Sequence, residues 1–200
     1  MASGSLLNDG WLGVRPFEAT DAAAAFTAIT ESIDELRPWL PSLAAITAPE
    51  DFVPWIASET AAGTQRTAHD FAIVDMRDGS LLGGAGLSHF DWSHRYANLY
   101  YWVRSSRARQ GIATGAARLL ARYTFEVLAL NRMEIVVAVD NQASLRVAEK
   151  VGAVREGVLR HRIMLQRELH DAVMFSILPS DCMHGAEACG EPHEALCSDR

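Results

Sequence analysis

The chain has 200 residues, of which 49% are hydrophobic, 14 are glycine and 7 are proline. This length and composition predict one globular domain with flanking tails and exclude a disordered or collagen-like protein. The formal net charge of −7 argues against a general binder of nucleic acids or anionic membranes. No apolar run approaches the roughly 20 residues that span a bilayer, and no basic start marks a signal peptide, so we expect a cytoplasmic protein.

Charge is distributed unevenly along the chain. Residues 1–90 carry 4 basic and 12 acidic side chains, whereas residues 91–178 carry 13 basic and 8 acidic ones. Within the basic part, five arginines fall in a stretch that holds no acid: Arg104, Arg107, Arg109, Arg118 and Arg122. This pattern indicates a local site for a small anion, and the alternative is a solvated helix face.

Both ends of the chain are expected to lie outside the domain, which is predicted to span residues 9–180. Residues 1–8 are predicted to form a flexible N-terminus. Three cysteines and two histidines lie near the other end, at Cys182, Cys189, Cys197, His184 and His193. Their spacing matches no CxxC-type metal motif. We therefore predict a disordered tail over residues 181–200 and no metal site.

The elements predicted in the first third of the chain are one strand and three helical segments. They are an edge strand over 12–16 that a proline ends, an alanine-rich helix capped by Thr20 and Asp21 and running to about residue 32, a broken helical segment over 33–43, and a helix from about 49 to 62. Trp39 and Trp55 are expected to pack this helical arm, which would border an acceptor site.

The remaining elements alternate between strands and helices. They are strands over 71–75, 81–90 and 95–103, a helix of about 18 residues from Ile112, a strand over 133–139, a helix over 142–151 that Asn141 caps and Gly152 stops, and strands over about 153–160 and 171–178. This order predicts an α/β fold of the mixed α+β kind, with helices against one mixed sheet.

The junction between the aromatic strand and the long helix is the most informative segment, with the sequence Val103-Arg-Ser-Ser-Arg-Ala-Arg-Gln-Gly-Ile-Ala113. A helix N-terminus offers unpaired N–H groups and a partial positive charge, so it can hold a phosphate or pyrophosphate. Gly111 lets a ligand approach the backbone, and the flanking arginines add charge. The segment is neither a P-loop nor a G-x-G-x-x-G turn, so NTPase and dinucleotide-fold interpretations lose their main support.

Two blocks of the sequence resemble the GNAT superfamily of acyl-CoA-dependent N-acetyltransferases. The first is Ala108-Arg-Gln-Gly-Ile-Ala113 after an aromatic strand, and the second begins at Val139-Asp-Asn-Gln-Ala-Ser144 and continues through Glu149-Lys-Val-Gly-Ala153. The second block is similar to the Rim-type branch, which includes acetyltransferases of ribosomal-protein N-termini. The resemblance covers residues 9–180 and implies a central, mostly antiparallel twisted sheet flanked by helices.

The resemblance also implies a binding site for acetyl-CoA. Backbone amides around Arg109 to Ala113 would hold the CoA pyrophosphate, Asn141 would contact the pantetheine arm, and Ser144 would protonate or hydrogen-bond the leaving thiolate. The full set of implied CoA contacts is Trp102, Val103, Arg104, Arg109, Gln110, Gly111, Ile112, Ala113, Thr114, Asn141, Ser144 and Lys150. For Ser144, the alternative is an ordinary serine in the first turn of a helix.

The sequence departs from the family pattern at two positions. The first motif position, usually Gln or Arg, is Ala108, although backbone groups supply most of the expected binding. The aromatic strand has Asn98 where the family often has a Glu, and an amide cannot act as a base. If the hairpin loop is 91–94, His89 opposes Tyr96 and shares a face with Asn98, so we predict His89 as a candidate base, directly or through water.

The sequence therefore predicts an N-acetyltransferase that moves acetyl from acetyl-CoA to a primary amine by direct attack. The acceptor could be a protein N-terminus, an amino acid, a polyamine or an amine-bearing antibiotic. Arg160 and Arg162 are expected near the acceptor cleft and would suit an acidic acceptor, whereas the acidic first half would suit a cationic one. The alternative is a non-catalytic acyl-CoA-binding sensor or interaction module, which Asn98 favours. We expect no nucleic-acid or membrane partner, and the resemblance is compatible with a homodimer.

Overall fold

The seven predicted strands and one further strand, β1, form an eight-stranded sheet in a computed structural model that describes residues 7–54 and 68–183. The strands are β1 (Leu7–Asn8), β2 (Leu12–Pro16), β3 (His69–Asp75), β4 (Leu81–Asp91), β5 (Tyr96–Val103), β6 (Arg132–Ala138), β7 (Val154–Leu165) and β8 (Glu168–Ile177). Their spatial order is β1-β2-β3-β4-β5-β6-β8-β7, and every neighbouring pair except β5 and β6 is antiparallel. The mostly antiparallel sheet implied by the resemblance is confirmed.

Helices lie against both faces of this sheet. They are α1 (Ala22–Glu31), α2 (Ile33–Leu36), α3 (49–54), α4 (Ile112–Arg122), α5 (Gln142–Val151) and α6 (Pro179–Met183). The predicted second half of the third helix, with Trp55, lies outside the described residues. The predicted tail over 181–200 also lies outside them from residue 184 onward, whereas residues 181–183 belong to α6 and are not disordered. Within 7–54 and 68–183, no helix is long and apolar enough to cross a membrane.

Each face of the sheet has its own hydrophobic core. On one face, α4 packs apolar residues such as Ile112, Ala116 and Leu120 against β2 to β6. On the other face, α1 and α3 pack Ile29 and Phe52 together with Trp102 of β5. Because β5 contributes side chains to both cores, its position in the sheet is fixed from both sides.

The caps predicted for the two ends of α5 differ in outcome from the cap predicted for α1. Asn141 accepts a hydrogen bond from Ser144 N, and Gly152 ends α5 in the left-handed region at φ +91°, so both predictions are confirmed. The predicted side-chain cap of α1 is wrong, since the Asp21 carboxylate instead binds the Arg15 guanidinium and accepts from Glu18 N.

The structure also differs from the prediction in the position of one strand and in the extent of three other elements. The strand over 12–16 is not at the edge of the sheet, because the two-residue β1 pairs with its outer side. The helix from Ile112 becomes a π-helical turn at Tyr123–Val127, where Leu128 N donates to the Tyr123 carbonyl. The last two strands are longer than predicted and form a hairpin whose turn is at 166–167.

Candidate functional site

The strands β5 and β6 pair only at their beginning and then separate. Their parallel pairing joins Tyr96–Asn98 to Arg132–Glu134 and stops there, while β6 continues beside β8 and β5 continues beside β4. The backbone between the two separated strands is therefore open to a ligand. Where the two strands have separated, a backbone N–H without a strand partner can donate to a ligand carbonyl.

Asn98 lies at the point where the two strands part. Its side-chain oxygen accepts a hydrogen bond from Val136 N at 3.2 Å, and its Nδ2 donates to the Leu99 carbonyl at 3.2 Å. The amide thus pairs a β6 N–H that the missing strand partner would otherwise leave without an acceptor. This observation gives Asn98 a structural role at the fork.

The direction of the β5 backbone decides which N–H groups point into the opening. Arg104 N donates to the Leu82 carbonyl of β4 at 2.9 Å. Because hydrogen-bonding direction alternates along an antiparallel strand, the N–H of Trp102 also points to β4, whereas those of Tyr101 and Val103 point into the cleft. At the end of β5, the N–H of Val103 can therefore donate to a ligand in the cleft, and that of Trp102 cannot.

The loop that follows β5 presents a concave row of backbone donors. Arg109 and Gly111 lie in the left-handed region, at φ +64° and +80°. Left-handed and right-handed residues in succession turn neighbouring N–H groups toward one point, which is an anion-binding geometry. Helix α4 begins at Ile112 with no side-chain cap, so its first N–H groups also face this point.

A Cβ at Gly111 would meet no atom within 4 Å, so the space above the loop is open to a ligand.

Helix α5 forms the opposite wall of the cleft. Asn141 caps it, Ser144 lies in its first turn, and the Tyr101 hydroxyl donates to the Ser144 carbonyl at 3.2 Å. Burial raises the pKa of Tyr101 to about 12, so this hydroxyl stays protonated and remains a donor. Tyr101 therefore ties β5 to α5 across the opening between the strands.

These features meet in one cleft of about 1170 Å³. Its walls include most of the residues predicted to bind the cofactor, together with the fork amide: Asn98, Trp102, Val103, Arg109, Gly111, Ile112, Ala113, Thr114, Asn141, Ser144 and Lys150. The helical arm also contributes, through Trp39 of the segment predicted to border the acceptor site. Trp102 is only 5% exposed and is mainly a core residue.

Arg104 does not line the cleft, which contradicts its predicted contact with the cofactor. Its guanidinium donates to both carboxylate oxygens of Glu31, at 2.7 and 2.8 Å, and also to the Leu81 carbonyl. A bidentate ion pair holds the side chain away from the opening. Gln110 also lies outside the cleft wall, because its exposed side chain extends from the loop into solvent.

The pairing that placed His89 beside the site is wrong. Ser88 opposes Asn98 and Asp91 opposes Tyr96, so residues 89 and 90 together face one residue of β5. His89 itself is left-handed, with φ +52°, and its exposed ring contacts the Ser88 hydroxyl at 3.0 Å. This β-bulge turns His89 away from the cleft and removes the geometric basis of its predicted role as base.

Several cleft residues were not identified from the sequence. Arg146 lies on the α5 wall, and Asp34 and Glu35 lie on the α2 wall. All three are exposed charged residues on short helices, a pattern that also fits a solvated surface. Arg160 and Arg162, expected near the acceptor, instead border a separate shallow cavity with His161 and Asp171.

Comparison with known proteins identifies relatives of this chain. A family model described as an acetyltransferase (GNAT) domain matches residues 12–154. A Bacillus subtilis (strain 168) protein named "Putative ribosomal N-acetyltransferase YdaF" is 40% identical over 101 residues, which are 50% of this chain and 55% of that protein. Spermidine N(1)-acetyltransferase of Escherichia coli (strain K12) is 28% identical over 100 residues, 50% of this chain and 54% of that protein. The chain thus spans a little over half the length of these relatives.

A solved structure shows the same fold over most of the chain. RimJ of Mycobacterium smegmatis in complex with CoA-disulfide superposes with a TM-score of 0.80 and 25% sequence identity, and the match covers 88% of each chain. The resemblance that the two sequence blocks carry is therefore confirmed at the level of both family and fold.

Proposed function

The chain belongs to the GNAT acetyltransferase family, and from that premise we propose that it transfers the acetyl group of acetyl-CoA to a primary amine by direct attack. One observation carries the proposal. The opening between β5 and β6, the uncapped start of α4 and the first turn of α5 all face a single cleft. Acetyl transfer needs these three parts together: a carbonyl site, an anion site and a group beside the leaving thiolate.

The anion site fits the pyrophosphate of CoA. The left-handed Arg109 and Gly111 turn backbone N–H groups toward the open space, and the positive end of α4 adds to their field. Positive charge comes from Arg109 on the loop and from Arg146 and Lys150 on the α5 wall of the same cleft. Most of the predicted binding comes from the backbone, so Ala108 at the first motif position does not weaken the site.

The groups for the chemical step lie between the strands. Val103 N and Tyr101 N point into the cleft, where either can donate to the acetyl carbonyl oxygen and stabilise the charge that develops there. Ser144 lies at the start of α5 on the other side, and its hydroxyl can donate to the departing thiolate. Among the described residues the one cysteine, Cys182, is outside the cleft, and burial raises the pKa of its thiol. This agrees with transfer without a covalent enzyme intermediate.

We propose that the acceptor carries positive charge in addition to its reacting amine. The acidic residues of the cleft wall, Asp34 and Glu35, both lie on α2, whereas its basic residues lie on the α4 loop and α5. This separation leaves the anionic cofactor at one end and favours a cation at the other. A polyamine or a basic protein N-terminus has that charge. An acidic N-terminal peptide does not fit, because Arg160 and Arg162 lie outside the cleft.

Thiol release from acetyl-CoA tests both parts of the proposal. The acceptor panel consists of spermidine, basic and acidic N-terminal peptides, single amino acids and an aminoglycoside, with a correction for the protein's own cysteines. We expect turnover with cationic acceptors and a rise in their KM when Asp34→Asn and Glu35→Gln are combined. Preference for an acidic peptide would contradict the acceptor assignment and leave the acetyltransferase assignment intact.

The second candidate is a non-catalytic acyl-CoA-binding sensor. Asn98 favours it, because the fork carries an amide in place of a carboxylate, and so does the absence of His89 from the cleft. Both candidate functions predict that the protein binds CoA, but only the acetyltransferase predicts release of the thiol. Calorimetric binding of CoA without thiol release for any acceptor of the panel would favour the sensor.

A further inference from the structure

The C-terminal end of α1 is bonded to the turn that begins the anion-binding loop. The Glu31 carboxylate accepts from Nε and Nη2 of Arg104 and from the Ser106 hydroxyl, at 2.8, 2.7 and 2.7 Å. These partners lie more than 70 positions away in the sequence. Three strong hydrogen bonds to one ionised group form a rigid joint, since both the direction and the distance of each partner are restricted.

The next residue adds a second connection. Ser32 is fully buried, its hydroxyl accepts from Ser105 N at 2.8 Å, and it donates to the Ala28 carbonyl at 2.6 Å. The 105–107 turn is thus held by α1 through both a side chain and a backbone group. The left-handed Arg109 and Gly111 follow this turn within a few residues, so their orientation depends on where the turn lies.

The same end of α1 also leads directly into α2. That short helix carries Asp34 and Glu35, the acidic residues of the cleft wall. A displacement of α1 would therefore move the acidic wall and the anion-binding loop together. Arg104 and Glu31 hold each other ionised, because the adjacent guanidinium lowers the pKa of Glu31 to about 2.

We propose that Glu31 is a positioning residue, which holds the 105–107 turn through Arg104 and Ser106 so that the loop from Arg109 to Ala113 can bind the CoA pyrophosphate. This inference rests on the proposed function. Glu31 does not itself line the cleft, whereas its neighbours Asp34 and Ser105 do.

The chain contains a matched control for this joint. Glu156 accepts from Nη1 and Nη2 of Arg132 at 2.6 Å each and from the Ser176 hydroxyl at 2.7 Å. Like Glu31, it accepts from one guanidinium and one serine hydroxyl, and the arginine and the serine lower its pKa to about 2 as well. It lies outside the cleft wall. Glu156→Gln therefore reproduces the loss of a bonded carboxylate without touching the loop.

The experiment compares Glu31→Gln with Glu156→Gln in the full chain by CoA titration calorimetry and thermal unfolding. We expect both variants to lower Tm by similar amounts. Glu31→Gln should raise the Kd for CoA about tenfold, which is about 1.4 kcal/mol, and should raise the KM for acetyl-CoA more than it lowers kcat. In Glu156→Gln, the Kd for CoA should stay within about twofold of the wild-type value. Ser106→Ala, which removes one hydrogen bond and leaves the ion pair, should raise Kd by a smaller factor and serves if Glu31→Gln does not fold.

The outcomes separate this inference from the function on which it rests. If the wild type binds CoA and neither Glu31→Gln nor Ser106→Ala changes the Kd beyond the change in Glu156→Gln, the positioning role is wrong and the proposed function stands. If the wild type itself does not bind CoA, the proposed function fails.

Discussion

Asn141 is expected to have two separable roles, as helix cap and as cofactor contact. Its Oδ1 accepts from Ser144 N at 3.1 Å, which leaves the Nδ2 donor for a ligand in the cleft. Asn141→Ala removes both groups. The loss of the cap should cost about 1 kcal/mol of unfolding free energy, which for a domain of this size lowers Tm by about 2–4 °C.

Asn141→Asp separates the two roles. The carboxylate still accepts from Ser144 N, and its charge at the start of α5 contributes about 0.3–1 kcal/mol through the helix dipole. We therefore expect a Tm equal to or above that of the wild type. In the cleft, however, the donor is replaced by a negative charge, so the Kd for CoA should rise about tenfold, equivalent to about 1.4 kcal/mol.

Thermal unfolding and CoA calorimetry on the three proteins check both statements. Wild-type affinity in Asn141→Asp would refute the contact with the cofactor and leave Asn141 as a cap alone. A Tm as low as that of Asn141→Ala would refute the capping argument instead.

Four other predictions follow from particular contacts. Ser144→Ala should lower kcat about 10²-fold with the Kd for CoA unchanged, and an unchanged kcat would remove its proposed role at the thiolate. His89→Ala should keep turnover within about twofold, because an exposed residue away from the site has little effect; a large loss would restore the sequence-based assignment. A Cβ on Gly83 would overlap the Trp102 carbonyl oxygen and lie 2.9 Å from the Val103 Cα. Gly83→Ala should therefore lower the free energy of unfolding, measured with denaturant, by about 1–3 kcal/mol. Gly157→Ala is the control and should cause no such loss, because a Cβ there meets no atom within 4 Å. The pKa of Glu156 is lowered to about 2 from an ordinary 4.5, so the stability that its ionised form adds is complete above pH 4.5 and is lost as pH falls toward 2. The Tm of Glu156→Gln should therefore fall less steeply than that of the wild type across this pH range. An equal dependence of Tm on pH in the two proteins would contradict this prediction.

The helix ends around the cleft that the sequence predicted correctly are determined by nearby residues. Asn141 and Gly152 enclose α5 because an Asx side chain and a left-handed glycine are the local signals for its two ends. Gly111 similarly marks the start of α4. These signals require no knowledge of distant contacts, so the sequence alone predicts the loop before α4 and the two helices that line the cleft.

The errors come from contacts that no local pattern records. A regular hairpin would put His89 on the cleft face, but one bulged position between Ser88 and Asp91 shifts the register. The resemblance places Arg104 among the cofactor contacts, but its ion-pair partner Glu31 lies 73 residues earlier in the chain. Asp34 and Glu35 reach the cleft only because α1 and α2 fold over the end of β5, which is a tertiary effect.

The amide of Asn98 has a consequence for the response of this protein to acidity. A carboxylate between the two diverging strands would gain or lose a proton with changing pH, and the width of the gap would change with its charge. A primary amide does neither, and its bond to Val136 N persists in acid and in base alike. The hydrogen bond at the fork is therefore independent of pH. In the proposed transfer, we expect any rise of activity with pH to follow the deprotonation of the acceptor amine.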